Sequence, residues 1–399
     1  MQEEKFPYID RLDETVLDEA ILRFGTPTYV FDVEQAKKRA RAFRGIIGQA
    51  ADLCYAMKAN PFLVRAMAEE VNRIEVCSMG EFRICKQKEI PAEKLLISGV
   101  MKDRDDLWEI LETYGNRCHY TIESLNQYAI LNEWARSSGK KVPVYLRLTS
   151  GNQFGMDEET LTNIVELEQD KDLLEICGIH YFSGTQKKRK KTLEELTYLD
   201  EVFARLKEKT GYQVTELEYG PGLAVPYFAR QADERFETLE AIADALAKMQ
   251  WQGKVTLEMG RAFVADCGYY ITTVKDTKRS GDQNYCIIDG GMHQVNYDGQ
   301  IRVMYQPKLT IRPQGARGIY QNWTICGELC TGNDILVQNI KIDDLRVGST
   351  IIFENTGAYA VTEGMALFLS HVLPAVVLYD PVGGFTQVRA RRETYVWNS

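Results

Sequence analysis

Short β-branched or aromatic runs alternate with amphipathic helical segments from about residue 35 to residue 270. The helical segments have their apolar residues three and four positions apart, as in 196–206 and 239–249. A capping-box pattern predicts that one of these helices begins at Thr192, with Glu195 at its third position. The eight runs that predict buried strands are 53–57, 73–78, 95–99, 119–123, 142–148, 175–182, 216–220 and 255–259.

Eight strand–helix units in series favour a parallel sheet that closes into a (βα)8 barrel of the TIM type. A doubly wound open sheet is the alternative that periodicity alone leaves open. After residue 270 the pattern changes to short strand-like runs with few helical stretches, which indicates a mostly antiparallel β domain. The strand predicted at 27–32 joins that domain. We therefore predict a barrel domain at 34–269 and a β domain formed by 1–33 and 270–399.

Composition and charge narrow the classes of partner. The 399 residues are 45% hydrophobic, and 48 basic against 57 acidic residues give a net charge of −9. An acidic chain argues against nucleic acid and against an anionic membrane as partners. We read no signal peptide and no apolar run of membrane-spanning length, and nine scattered cysteines fit a reducing cytoplasm. Cys326 and Cys330 lack a second ligand pair, and His293 with Asp289 forms no metal set, so no metal is predicted.

Candidate chemistry lies where the predicted strands end, because barrel active sites form at the carboxyl ends of the strands. Lys58 follows the first strand, and a partly desolvated lysine there would favour a neutral, nucleophilic amine. The alternative is an ordinary solvated lysine. Gly220-Pro-Gly222 and Gly260-Arg261 follow the last two strands, where glycine amides and an arginine bind phosphate in many barrels. Gly-Pro-Gly alone is more often a simple turn.

Eight motifs in one order extend over residues 20–380. Together they resemble the pyridoxal-phosphate-dependent decarboxylases of the diaminopimelate and ornithine decarboxylase type, the fold type III group. The resemblance implies a (βα)8 barrel with a C-terminal β domain, and a homodimer whose active sites combine residues of both subunits. The motifs are Phe24-Gly-Thr-Pro-Thr-Tyr-Val-Phe-Asp32, Tyr55-Ala-Met-Lys-Ala-Asn60, Glu75-Val-Cys-Ser-Met-Gly-Glu81, Gly178-Ile-His-Tyr-Phe-Ser-Gly-Thr-Gln186, Gly220-Pro-Gly222, Glu258-Met-Gly-Arg261, Gly327-Glu-Leu-Cys330 and Gly357-Ala-Tyr359.

The resemblance also implies a role for each matching residue. Lys58 would form the Schiff base with pyridoxal 5′-phosphate, and Glu258 would pair with the pyridine nitrogen. Cys330 would come from the partner subunit and help to protonate the carbanion after carbon dioxide leaves an aldimine of the substrate. The remaining residues that would surround the cofactor are Ser78, Arg147, His180, Phe182, Thr185, Gly220, Gly222, Gly260, Arg261 and Tyr359.

The pairing of Lys58 with Glu258 has a physical reason of its own. Loss of carbon dioxide leaves an electron pair, and the cofactor ring accepts it best when its nitrogen is protonated. A carboxylate holds that proton by charge pairing, whereas related barrel racemases place an arginine there. Glu258 therefore favours decarboxylation over racemisation. A racemase, or a non-catalytic carrier of pyridoxal phosphate built on the barrel alone, remains an alternative.

Departures from the family pattern bear on the substrate. Diaminopimelate and ornithine decarboxylases follow the cysteine with an acidic residue for the distal ammonium, whereas Thr331 follows Cys330 here. A buried ammonium without its carboxylate would lose on the order of 2–5 kcal/mol. Phe182 replaces the histidine that usually stacks on the ring, and the loop at 148–155 is short. Arg302 is a further candidate for the substrate site.

These departures, with Asp289-Gly-Gly-Met-His293 and Phe368-Leu-Ser-His371, resemble the family's secondary-metabolism branch, which acts on carrier-linked amino acids or siderophore-type precursors. The predicted substrate is an amino acid or an amino-acid-containing conjugate without a free distal ammonium. The alternative is diaminopimelate decarboxylase, which makes lysine. Five consecutive bases at 187–191 are either a solvated loop or a docking patch for an anionic partner, such as a carrier protein or a polycarboxylate.

Overall fold

The computed structural model describes residues 11–297, 305–313 and 318–399. The chain divides into two compact units. The barrel unit consists of Ala40–Val225 and Asp233–Ala262, and the β unit consists of the residues up to Arg39, Pro226–Ala232 and those from Phe263 onward. The predicted domain boundaries lie between residues 33 and 34 and between residues 269 and 270. They remain a prediction and differ by a few residues from the limits of these two units.

Helices and strands alternate through the barrel unit, and strands dominate the β unit. The helices are α1 (Glu14–Phe24), α2 (Val33–Ile47), α3 (Val64–Glu70), α4 (Met79–Gln87), α5 (Arg104–Tyr114), α6 (Leu125–Ser138), α7 (Glu158–Lys171), α8 (Arg189–Thr210), α9 (Arg235–Leu246) and α10 (Arg261–Val264). The first nine strands are β1 (Thr28–Asp32), β2 (Asp52–Ala56), β3 (Arg73–Val76), β4 (Leu95–Ile97), β5 (His119–Ile122), β6 (Val142–Leu148), β7 (Leu174–Phe182), β8 (Glu216–Gly220) and β9 (Lys254–Met259). The other strands are β10 (Gly268–Ser280), β11 (Gln283–Ile288), β12 (Leu309–Arg312), β13 (Tyr320–Cys326), β14 (Ile335–Asp343), β15 (Thr350–Glu354), β16 (Ala375–Asp380) and β17 (Gly384–Arg389).

Strands β2 to β9 form the closed parallel barrel. The barrel closes where β2 pairs with β9, with Cys54 opposite Glu258. Leu53, Val144 and Leu257 are fully buried, as expected for strands covered on both faces. All eight predicted barrel strands are confirmed, and the open-sheet alternative is excluded.

Side-chain caps set the start of several barrel helices, two of them within two residues of a strand end. Ser78, Ser124 and Asp157 each accept a hydrogen bond from a backbone N–H of the helix that follows. The predicted capping box at Thr192 is wrong, because α8 begins at Arg189. Thr192 is buried inside the helix, and its hydroxyl donates to the carbonyl of Pro221 instead.

The β unit is a mixed sheet in the order β14-β13-β11-β10-β1-β16-β17, with β15 pairing to β10 and β12. Most pairs are antiparallel, and the parallel ones are β1 with β16 and β11 with β13. Strand β1 joins this sheet, as predicted, and β17 is a strand that the sequence analysis missed. Helix α1 packs its Leu17 and Ala20 against Val30 and Ile352 of the sheet. In the described residues, every helix is too short or too polar to cross a bilayer.

Candidate active site

Lys58 lies at the carboxyl end of β2, in the one-turn 3-10 helix Met57–Ala59. Its Nζ donates a hydrogen bond to Glu75 Oε2 at 2.6 Å and lies 3.3 Å from Cys77 Sγ. The lysine side chain is 36% exposed, whereas that of Glu75 is 2% exposed. Lys58 is therefore an oriented amine at the barrel mouth, held by a buried carboxylate, and the solvated alternative does not describe it.

Glu75 and Cys77 are site residues that the sequence analysis did not assign. Cys77 Sγ lies 3.0 Å from Glu75 Oε1, and burial followed by the charge of Glu75 raises the pKa of this thiol well above 9.0. This shift favours the neutral thiol over the nucleophilic thiolate. The signal for Glu75 was available, because an acidic residue inside a buried strand needs a partner.

Glu258 and His180 form a buried pair across the same end of the barrel. Glu258 Oε2 lies 3.0 Å from His180 Nε2, and both residues are nearly inaccessible. Burial opposes ionisation of Glu258, but the hydrogen bond and charge of His180 outweigh it, helped by Lys58 and Arg147, and the pKa falls to about 2. The contact with His180 therefore favours the ionised form of Glu258. Within the described residues, His180 Nδ1 has no hydrogen-bond partner.

A second charged group consists of Glu123, directly after β5, Arg147 on β6 and Lys102 in the loop after β4. Arg147 Nη1 donates to Glu123 Oε1 at 3.0 Å, and Lys102 Nζ lies 3.8 Å from the same oxygen. Burial lowers the pKa of Lys102 to about 8 against the opposing charge of Glu123. Among the described residues, Arg147 Nε and Glu123 Oε2 have no hydrogen-bond partner. The sequence analysis found Arg147 but missed Glu123 and Lys102.

The glycine-rich edge of the mouth is closely packed. A Cβ on Gly220 would lie 2.4 Å from the ring of Phe182, and one on Gly260 would lie 2.8 Å from the Cβ of Ala59. Gly222 has a φ of +60°, and a Cβ there would lie 2.2 Å from the carbonyl oxygen of Gly184. These glycines follow β8 and β9, where the sequence predicts a phosphate site.

Lys187 is hydrogen-bonded to the glycine-rich edge of the barrel mouth and does not belong to a solvated run of basic residues. Its backbone N–H donates to Gly222 at 2.9 Å, and its Nζ donates to Gly220 O at 3.2 Å and to Glu195 Oε2 at 2.5 Å. Its side chain is 7% exposed. Residues 188–191 are exposed, so a docking patch would comprise four bases and not five.

The other predicted site residues divide between the two units. In the barrel unit, Ser78 caps α4, Thr185 is exposed in the loop after β7, and Arg261 is the first residue of α10. Cys330, Thr331 and Tyr359 belong to the β unit. Cys330 is an exposed free thiol, and the hydroxyl of Thr331 accepts a backbone hydrogen bond from Asn333. Arg302 lies outside the described residues.

A family model described as pyridoxal-dependent decarboxylase, pyridoxal binding domain, matches residues 33–265. The chain belongs to this family. The match covers the barrel with Lys58, Glu75, His180 and Glu258.

Curated relatives extend the similarity to most of the chain. The L-glutamyl-[BtrI acyl-carrier protein] decarboxylase of Niallia circulans is 26% identical, with 92% of each chain covered. The diaminopimelate decarboxylase of Aquifex aeolicus is 27% identical, with 88% of each covered. The 2-[(L-alanin-3-ylcarbamoyl)methyl]-2-hydroxybutanedioate decarboxylase of Staphylococcus aureus is 25% identical, covering 88% of this chain and 93% of the relative. The structure of M. jannaschii diaminopimelate decarboxylase with L-lysine has a TM-score of 0.84 at 23% identity, covering 94% and 92%.

These findings confirm the predicted family, fold, enzyme class and cofactor. The protein is a decarboxylase that acts on an amino-acid substrate and uses pyridoxal 5′-phosphate. The relatives named are all decarboxylases, which disfavours a racemase or a non-catalytic carrier. The roles of the individual site residues stay predictions.

Proposed function

We propose that this enzyme decarboxylates an amino acid whose distal end carries no free ammonium, as in an amino-acid conjugate or a carrier-linked amino acid. The observation that carries the proposal is Thr331, which follows Cys330 where diamino-acid decarboxylases have an acidic residue. Its hydroxyl is uncharged and engaged in its own turn. Two relatives at 25–26% identity act, by their names, on a carrier-bound glutamyl group and on an alanyl amide of a hydroxy dicarboxylate.

The residues present at the mouth fit pyridoxal phosphate. An amine just after β2 and a buried carboxylate on the neighbouring strand β9 match the aldehyde and the ring nitrogen of the cofactor. The buried atoms His180 Nδ1 and Arg147 Nε, which lack partners in the described chain, fit a polar ligand between them. We assign Lys58 to the aldehyde, Glu258 to the nitrogen, Phe182 to the ring face, and Gly220, Gly222, Gly260, Arg261, Ser78, Thr185 and Tyr359 to the phosphate region.

The bound cofactor supplies a sink for the electron pair that remains when the carboxylate leaves. Glu258 would hold a proton on the ring nitrogen, since its lowered pKa favours the ionised carboxylate. His180 keeps the Glu258 carboxylate in one orientation. Glu75 orients the amine of Lys58 and stabilises it while it is a cation. Arg147 adds a fixed positive charge, itself paired with Glu123.

We further propose a homodimer with shared active sites, in which Cys330, with Thr331 beside it, serves the partner's barrel. Support comes from an exposed apolar cluster on the β unit, formed by the segments 365–369 and 395–397. Asn398 joins these two segments by donating a hydrogen bond to the carbonyl of Leu367. An exposed cluster of this kind favours a protein interface. The apolar cluster consists of Met365, Leu367, Phe368, Leu369, Tyr395, Val396 and Trp397, with 44–58% of each side chain exposed.

We place the enzyme in the cytoplasm, with no nucleic acid and no membrane as partner. The nine cysteines are all free, which fits a reducing compartment. The negative net charge supports the exclusion of nucleic acid.

The test is a carbon dioxide release assay with the purified holoenzyme on free glutamate, meso-diaminopimelate, an amide conjugate of 2,3-diaminopropionate with a polycarboxylate, and a glutamyl-loaded carrier protein. We expect release from a substrate without a distal ammonium, and none above background from Lys58→Ala. Preferred turnover of diaminopimelate would overturn the substrate proposal and favour the alternative. Retention of the imine absorption by Lys58→Ala would overturn the assignment of Lys58.

A further inference from the structure

Three side chains of the β unit that could ligate a metal converge on one point. Glu328 Oε1 lies 3.3 Å from His293 Nε2 and 3.2 Å from His371 Nδ1. All three atoms lie within 4.8 Å of one another. Ligand atoms bonded at about 2.0–2.1 Å to one tetrahedral ion are separated by roughly 3.3 Å. Two of the three separations therefore already have the value that a shared metal ion requires.

The fold holds two of these ligands in place through Asp334. The carboxylate of Asp334 accepts hydrogen bonds from the backbone N–H groups of Met292 and Leu329, at 2.8 and 2.9 Å. Each of these residues is the chain neighbour of a ligand. The N–H of Glu328 donates to the carbonyl of Gly290 at 2.7 Å. The loop after β11 and the loop after β13 are thus joined by the Asp334 carboxylate and by backbone groups. These bonds do not involve the side chains of His293 and Glu328.

The environment of His293 points to a ligand rather than to a simple ion pair. The residue is 3% exposed, and neither ring nitrogen makes a hydrogen bond to any described residue. Its contact with Glu328 has an ion-pair distance without hydrogen-bond geometry. A buried imidazole with both nitrogens unused is costly. Glu328 and His371 have side chains that are 29% and 27% exposed, so an ion can enter from solvent.

We propose that His293, Glu328 and His371 form a divalent transition-metal site of the zinc class. Two imidazoles and one carboxylate are a ligand set that zinc accepts, with a fourth position open for water or another ligand. Glu328 stands two residues before Cys330, so an ion here would fix the loop that carries this cysteine. Sequence spacing did not reveal the set, because its members are 35 and 43 residues apart and come from three segments.

The test uses the full-length, cofactor-loaded enzyme after treatment with a chelator and dialysis. Titration with Zn²⁺, followed by calorimetry and metal analysis, is expected to give one ion per chain. Co²⁺ is expected to give the visible absorption of a low-coordinate N/O site. Glu328→Gln and His371→Ala, both at partly exposed positions, should each weaken Zn²⁺ binding by about 100-fold, with circular dichroism as the check on folding.

Two matched variants separate this site from other ligands of the chain. Cys330→Ser removes the nearest exposed thiol, and His119→Gln removes a histidine of the barrel. Both should bind Zn²⁺ as the wild-type enzyme does. Failure of the wild-type enzyme to bind Zn²⁺ at micromolar concentration would overturn the proposal, as would binding that Glu328→Gln and His371→Ala leave unchanged or that Cys330→Ser abolishes. None of these measurements depends on the substrate or on turnover.

Discussion

At the scale of single residues, burial and pairing decide which protonation states the barrel mouth holds. Glu258 is buried, yet its pKa of about 2 is lower than the ordinary 4.5, since His180 donates to it and positive charges surround it. Its contribution to stability is present above pH 4.5 and is lost only as the pH falls through about 2. The lowered pKa therefore favours the ionised carboxylate at neutral pH.

Glu258→Gln tests the role of that charge. The amide keeps the shape of the side chain but cannot hold a proton on the cofactor nitrogen, so we expect carbon dioxide release to fall by about 100-fold or more. The imine absorption, which depends on Lys58, should persist. The control is Glu216→Gln, a carboxylate on β8 that pairs with Arg73. Equal rates for Glu258→Gln and the wild-type enzyme would contradict the assignment.

Lys102 predicts a pH dependence of stability with a definite sign. Burial lowers its folded pKa from 10.5 to about 8, so between these values the unfolded chain binds more protons and the unfolding free energy rises with pH. The rise attributable to this residue is at most about 3 kcal/mol. Urea unfolding at several pH values should show a smaller rise for Lys102→Met than for the wild type. The exposed control Lys140→Met should keep the wild-type slope.

At the scale of elements, the loops after β7 and β8 depend on the absence of a side chain at one position. Gly222 has a φ of +60° and faces the carbonyl of Gly184, whereas Gly211, at the end of α8, has a φ of +76° and open space around it. Gly211→Ala should therefore cost about 1 kcal/mol from backbone strain alone. Gly222→Ala adds the clash and should cost about 2 kcal/mol more.

Urea unfolding measures both costs, and titration with pyridoxal phosphate measures the effect on the cofactor. We expect weaker cofactor binding for Gly222→Ala and unchanged binding for Gly211→Ala. Equal stability losses for the two variants would show that the loop moves aside without cost.

The first turn of α8 carries the four exposed bases of the possible docking patch, and its N-cap Lys188 makes no side-chain capping bond. If a carrier protein docks there, the double variant Lys190→Glu, Lys191→Glu should raise KM for the carrier-linked substrate and reduce its salt dependence. Lys207→Glu with Lys209→Glu, at the other end of the same helix, is the matched control. An unchanged KM would contradict the docking proposal and would indicate that these residues are only the solvated start of the helix.

At the scale of the whole molecule, the proposed sharing of active sites predicts complementation. Lys58→Ala and Cys330→Ala homodimers should each have little activity. After exchange of subunits, half of the dimers are hybrids with one intact site each, so about a quarter of the wild-type activity should return. The measurements are carbon dioxide release and sedimentation. An exchanged dimer without recovered activity would contradict the sharing of sites.

The apolar cluster supplies a second measurement of the same assembly. Phe368→Glu places a charge in the proposed interface and should shift the sedimentation profile toward monomer, because charges are depleted from interface cores. Val382→Glu is the control, at a position that is 98% exposed and outside the cluster. A Phe368→Glu enzyme that remains dimeric would place the interface elsewhere.

Much of the fold followed from local patterns. Strand β6 was predicted residue for residue, since a run that is apolar except for Arg147, placed between two helical patterns, is typical of a buried strand in a parallel barrel. The start of α8 was missed, because Thr192 has the right residue type for a cap but is needed inside the helix to bond Pro221. Strand β17 was missed because its residues are half-exposed and it depends on β16 for its pairing.

The amino-acid sequence by itself determined the two fold patterns and the family, and it predicted roles for Lys58 and Glu258, since periodicity and short motifs are properties of neighbours along the chain. Only the tertiary structure decided the partners of those residues. Glu75 beside Lys58, His180 beside Glu258, and Glu328 between two histidines are contacts between distant segments. The reason is physical: hydrogen bonds and ion pairs act over a few ångströms in space, and chain separation carries no information on which buried groups meet.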